Sequence, residues 1–109
     1  MRAKKLILVI DDEEHFCKLM KWNVESIEGY ACITATRGSE GLELLKTHKP
    51  DLVLLDILMP GMGGLEVLKR IKETSPQTPV AMVTALWSDE EGKRCFDAGA
   101  FEYLTKPVD

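Results

Sequence analysis

Three short stretches of this chain contain no polar residue: LILVI at 6–10, LVLL at 52–55 and VAMV at 80–83. Runs without polar alternation predict strands covered on both faces, as in a parallel sheet. The segments between them have a different period. From Glu13 onward Phe16, Met20, Val24 and Ile27 recur at helical spacing, and Gly29 follows as the expected C-terminal cap. YACITA at 30–35 reads as a second strand. Leu42, Leu44 and Leu45 then give a second helix that stops before Pro50. After the strand at 52–55, Leu65, Leu68 and Ile71 mark one face of a third helix, closed by Pro76 and Pro79. SDEE at 88–91 has the spacing of a capping box and opens a fourth helix ending at Gly99, and a short fifth strand is expected at 103–105. Strands alternating with helices over such short connections predict an α/β fold with right-handed crossovers.

A chain of 109 residues supports one hydrophobic core, so a single domain over 1–109 is expected, with no second domain in it. Five strands against four helices leave part of one sheet face without cover. The expectation is a domain truncated before a fifth helix, because a large bare apolar face is rare on a soluble monomer. Fourteen Lys and Arg against eighteen Asp and Glu give a net charge of −4, which argues against direct nucleic-acid contact by this domain. The apolar run at 6–10 is too short for a signal peptide or a membrane span, so a cytoplasmic setting is read. Cys17, Cys32 and Cys95 are odd in number and far apart, and are expected to be reduced, packed thiols.

The chemistry gathers at the strand ends. In doubly wound sheets the ligand site lies at the carboxyl ends of the strands. Asp11 and Asp12 follow the first strand, Asp56 ends the third, Thr84 ends the fourth and Lys106 follows the fifth. Three close carboxylates repel one another and call for a counter-charge. A hard divalent cation such as Mg²⁺, which prefers oxygen ligands, supplies it. Lys106 suits an anion such as phosphate and Thr84 offers a hydroxyl donor. A nucleophilic carboxylate, a metal, a cationic clamp and a hydroxyl donor together read as a site for phosphoryl transfer. Singly, these residues have plainer accounts: an Asp-Asp pair before a helix is usually a cap, and a Lys-Pro near a chain end is usually a loop.

The set Asp11-Asp12, DILMPGMGG at 56–64, Thr84-Ala85 and DAGAFEYLTKP at 97–107 resembles the receiver domain of bacterial two-component response regulators. The resemblance runs from residue 4 to the end. It implies a flavodoxin-like doubly wound sheet of five parallel strands in the order 2-1-3-4-5, an order given for a receiver in general accounts of such sheets. It further implies that Asp56 is the phosphoacceptor, serving a sensor histidine kinase or a small phosphodonor. Asp12 and Asp56 would ligate Mg²⁺, Asp11 would hold it largely through water, and the backbone carbonyl of Leu58 would complete the protein ligands. Thr84, Ala85 and Lys106 would bind the phosphoryl group, with the Lys106-Pro107 peptide bond cis. Thr84 would swing toward the phosphoryl group and let Tyr103 turn inward. That change would pass through the face of helix four and strand five to an effector domain or partner protein, or to a phosphorylation-dependent homodimer. A receiver catalyses only its own phosphorylation and dephosphorylation.

Some positions depart from the family pattern. Gly63 stands where receivers most often carry Asp, and is expected to alter helix capping rather than chemistry. Leu58 and Leu86, two residues after Asp56 and Thr84, offer nothing to orient a water, so a long-lived aspartyl phosphate is expected. Trp22 is expected to pack on the first helix, and Trp87 to be either an ordinary surface aromatic or a partner anchor. His15 is read as a solvated helix residue and His48 as a loop residue. Two other functional classes fit less well. A phosphatase-like or dehalogenase-like hydrolase would need a second Asp where Leu58 stands, and an FMN binder would need a phosphate-cradling loop where DDEEH stands. A receiver that never takes phosphate and acts as an interaction module stays open.

Overall fold

The computed structural model describes residues 4–85 and 87–106. Along the chain lie β1 (Lys5–Ile10), α1 (Glu14–Glu25), β2 (Tyr30–Ala35), α2 (Gly38–His48), β3 (Leu52–Asp56), α3 (Gly64–Thr74), β4 (Val80–Thr84), α4 (Asp89–Asp97) and β5 (Glu102–Thr105). The five strands form one parallel sheet in the order β2-β1-β3-β4-β5. This is the doubly wound α/β architecture that the apolar runs imply.

The strands alternate their side chains between two cores. Leu8, Ile10, Val53, Leu55, Val80, Met82 and Tyr103 join α2, α3 and α4 through Leu45, Val67, Leu68, Ile71 and Cys95. Val9 and Cys32, with Leu54 at the edge, pack with Cys17, Met20 and Val24 of α1. The unbroken apolar runs follow from this arrangement, since successive strand residues enter opposite cores. All three cysteines are buried and free, as their spacing predicts. No described helix is long and apolar enough to cross a membrane.

Two helix ends and one side chain differ from the sequence reading. α1 stops at Glu25 with Ser26 as its C-cap, so Ile27 lies beyond the helix and is exposed. Gly29 serves the next turn instead: it has φ +89°, and its carbonyl accepts the Lys5 N–H that starts the sheet. His48 is the last residue of α2 rather than a loop residue, because Lys49 takes the left-handed conformation that ends the helix. Trp22 is 76% exposed and does not pack down as expected, since Met20 and Val24 are the residues of that stretch facing the sheet. At α4 the capping box is half realised. The Ser88 hydroxyl accepts the Glu91 N–H at 3.2 Å.

Candidate functional site

Parallel pairing sets the rim. β1 and β3 run side by side with Ile10 opposite Leu55, so Asp11 and Asp56 leave the sheet at neighbouring places. Asp56 pairs with Val83, and Thr84 with Thr105, so Thr84 and Lys106 arrive at the same end. The Lys106 N–H donates to the Thr84 carbonyl at 2.7 Å, which ties the lysine backbone to the end of β4. Among the described residues, Asp11, Asp12 and Asp56 each bring one carboxylate oxygen to within 4.8 Å of the others. Asp11 and Asp56 are buried, while Asp12 is exposed.

Asp11 is held from two sides. Its Oδ1 accepts the Glu13 N–H at 2.9 Å, a turn bond just before α1, whose N-cap is Glu13 without a side-chain cap bond, so the plain capping role of the Asp-Asp pair is not what the structure shows. Its Oδ2 lies 2.8 Å from Lys106 Nζ, an ion pair without the alignment of a hydrogen bond, and is the buried polar oxygen left unsatisfied among the described residues. Burial, then the charge of Asp11, push the Asp56 carboxyl up to about 7, against a partial opposing pull from Lys106 and with a further rise from Asp12. Three hard carboxylate oxygens converging within 4.8 Å, two of them from buried residues and only partly offset by Lys106, fit a divalent cation of the Mg²⁺ type.

Lys106 is not poised over Asp56. Its ammonium bonds to Glu13 Oε1 and Asp11 Oδ2 and sits 4.5 Å from the centroid of the Phe16 ring. Burial works against its charge, but Asp11, Glu13 and Asp56 outweigh that and hold it above the ordinary lysine range. The hydrogen bond and charge of Lys106 in turn hold the Glu13 carboxyl below its usual value. Sequence reasoning missed Glu13 and Phe16. The DDEE run shows a further carboxylate beside the pair, and Phe16 lies three residues on, in the first turn of α1. Their partner, though, is 93 residues away from Glu13 in the chain.

The other expected site residues fall as follows. Thr84 is buried at the end of β4, and Ala85 and Leu58 are exposed at the rim. Tyr103 is already inward in this structure, 4% exposed, where its expected role has it turning inward on phosphorylation. Two features hold it there. Its hydroxyl accepts the Ser88 N–H at 3.2 Å, and its ring lies over Gly92, where a β-carbon would be 3.3 Å away. Trp87, 62% exposed, meets the Tyr103 ring edge-on with centroids 5.0 Å apart. Leu86 and the Lys106-Pro107 bond lie outside the described residues.

A five-stranded 2-1-3-4-5 sheet with an acidic rim defines a receiver-like protein, and the likenesses agree. The family model for the response regulator receiver domain matches residues 7–109, and the chain belongs to that family of two-component signalling proteins. It is 42% identical over 105 residues to the alkaline phosphatase synthesis transcriptional regulatory protein PhoP of Bacillus subtilis, covering 94% of this chain and 42% of that one. The chain therefore spans less than half the length of that relative. A CheY-like response regulator receiver domain protein from Methanospirillum hungatei superposes with a TM-score of 0.92 at 34% identity, covering 98% of this chain and 85% of the other. A response regulator protein from Burkholderia pseudomallei, whose structure holds a phosphorylated aspartic acid and a calcium ion, gives 0.90 at 27% identity over 97% of this chain and 62% of that one.

Proposed function

We propose that this chain is a phosphoacceptor: Asp56 takes a phosphoryl group from a sensor histidine kinase or a small phosphodonor, and the resulting change is read by an effector domain or partner protein. The observation that carries this is the placement of Asp56, buried at the tip of a rigid strand, within 4.8 Å of Asp11 and Asp12 oxygens. The phosphorylated aspartic acid of the B. pseudomallei relative supports it.

In the reaction one Asp56 Oδ forms a bond to phosphorus while the bond from phosphorus to the donor breaks. With phosphohistidine the departing electron pair stays on the imidazole nitrogen, which then takes a proton. Asp11, Asp12, Asp56 and the Leu58 carbonyl would hold Mg²⁺, which when bound supplies charge neutralisation for the carboxylates and the phosphoryl oxygens. Strand β3 fixes the attacking oxygen, so little of its orientational freedom is lost on reaction. Lys106, the Thr84 hydroxyl and the Ala85 rim would receive the phosphoryl oxygens. Thr84 and Tyr103 would then alter the α4 and β5 face, where Trp87 offers an exposed aromatic for a partner or a homodimer contact. The domain would act in a cytoplasmic protein, turning over only its own aspartyl phosphate and leaving nucleic acid to an effector.

The test is intact mass after incubation with acetyl phosphate, with and without Mg²⁺, comparing wild type and Asp56→Asn. One added phosphate that needs both Mg²⁺ and Asp56 is expected. A folded protein that takes none is instead an interaction module.

A further inference from the structure

We propose that Glu13 is a latch on Lys106: before phosphorylation it holds the ammonium that the phosphoryl group must recruit, and so restrains the reaction at Asp56. The inference rests on the phosphoacceptor reading above.

The geometry is a three-sided cradle. Asp11 Oδ2 lies 2.8 Å from Lys106 Nζ, Glu13 Oε1 bonds it from a second side, and the Phe16 ring lies 4.5 Å away. Two of the three N–H donors of the ammonium face carboxylates and the Phe16 ring flanks it, so turning toward a phosphoryl oxygen on Asp56 means moving away from one of these partners. The two carboxylates are not equal in this. Asp11 is 1% exposed, and losing the lysine would leave a buried charge uncompensated. Glu13 is 63% exposed, so water replaces the lysine when it departs. Glu13 is therefore the partner that yields. Glu13 stands at the N-cap of α1 and Phe16 in its first turn, and the ring 4.5 Å from the ammonium stays beside the lysine while the ammonium changes partners.

Two variants separate the latch from simple charge. Glu13→Gln removes both the ion pair and a negative charge near an anionic donor, while Glu13→Asp keeps the charge but falls one methylene short of Lys106. Glu14→Gln is the control, removing the same charge one residue on. In Mg²⁺ and acetyl phosphate, both Glu13 variants are expected to gain phosphate about two- to fivefold faster than wild type, the range a weak exposed ion pair allows. Glu14→Gln is expected to match wild type. A second reading needs no phosphate: in metal-free protein the Lys106 ammonium signal in ¹H–¹⁵N spectra is expected to show slowed proton exchange in wild type and to lose it in Glu13→Gln. Glu13 variants that react no faster than a reactive wild type, or an unchanged ammonium signal, overturn the latch alone. A wild type that takes no phosphate overturns the phosphoacceptor reading, and the latch with it.

Discussion

Gly64 lies so close to the end of β3 that a β-carbon there would overlap the carbonyl oxygen of Asp56 and stand 2.7 Å from the α-carbon of Ile57. The Gly64 N–H donates to the Ile57 carbonyl at 2.9 Å, so the first turn of α3 is pressed against the residues that present the Asp56 carboxylate. Gly64→Ala is expected to destabilise the fold by about 1–3 kcal/mol, since backbone and not a pliable side chain must move. It should also slow phosphorylation by displacing Asp56. Urea melts and acetyl phosphate kinetics on the same sample check both, and an Ala variant with wild-type stability and rate would refute the contact.

The raised Asp56 carboxyl gives a pH dependence with a definite sign. Its value of about 7 in the folded protein stands above the 3.8 of an unfolded chain, so folding favours the protonated form. The contribution to stability is full below 3.8, declines as the pH rises through 7, and is gone above that. Metal-free wild type is expected to lose melting temperature between about pH 4 and pH 7, and Asp56→Asn, which is never charged, to lose less. Adding Mg²⁺ at the upper pH should restore wild type more than the Asn variant. Parallel profiles for the two proteins would show that Asp56 is not the group responsible.

At Gly92 two effects oppose each other. Alanine is a better helix former by about 1 kcal/mol, but its β-carbon would stand 3.3 Å from the Tyr103 ring. Gly92→Ala is therefore expected to leave overall stability within about 1 kcal/mol while pushing Tyr103 outward. Trp87, 5.0 Å from that ring, reports the shift, so its emission should change in a Trp22→Phe background. An unaltered spectrum would mean that the ring stays where it is.

The apolar Leu58, exposed at the rim, sets the expectation for phosphate lifetime. Leu58→Asn together with Leu86→Glu introduces polar groups able to orient water, and is expected to shorten the half-life of an aspartyl phosphate by roughly tenfold or more. Loss of mass-detected phosphate over time measures this. A half-life equal to wild type would remove both residues from the account.

The sequence by itself determined the sheet and the acidic rim. Unbroken runs such as LVLL can be buried only on both faces, and Asp11, Asp56, Thr84 and Lys106 each close a strand, so parallel pairing must bring them to one end. Helix ends were less legible. Ile27 continues the period of α1 but lies past its end, and His48 belongs to α2, because termination depends on backbone conformations at Ser26 and Lys49 that hydrophobic period does not encode. What only the tertiary structure decided is which partner each charged group takes. Lys106 turns to Glu13, Asp11 and Phe16 rather than to Asp56, and Tyr103 rests inward on Gly92. Position in the chain fixes where a side chain starts. Where a long lysine or a tyrosine ring ends is settled by charges and gaps contributed by residues far away in sequence.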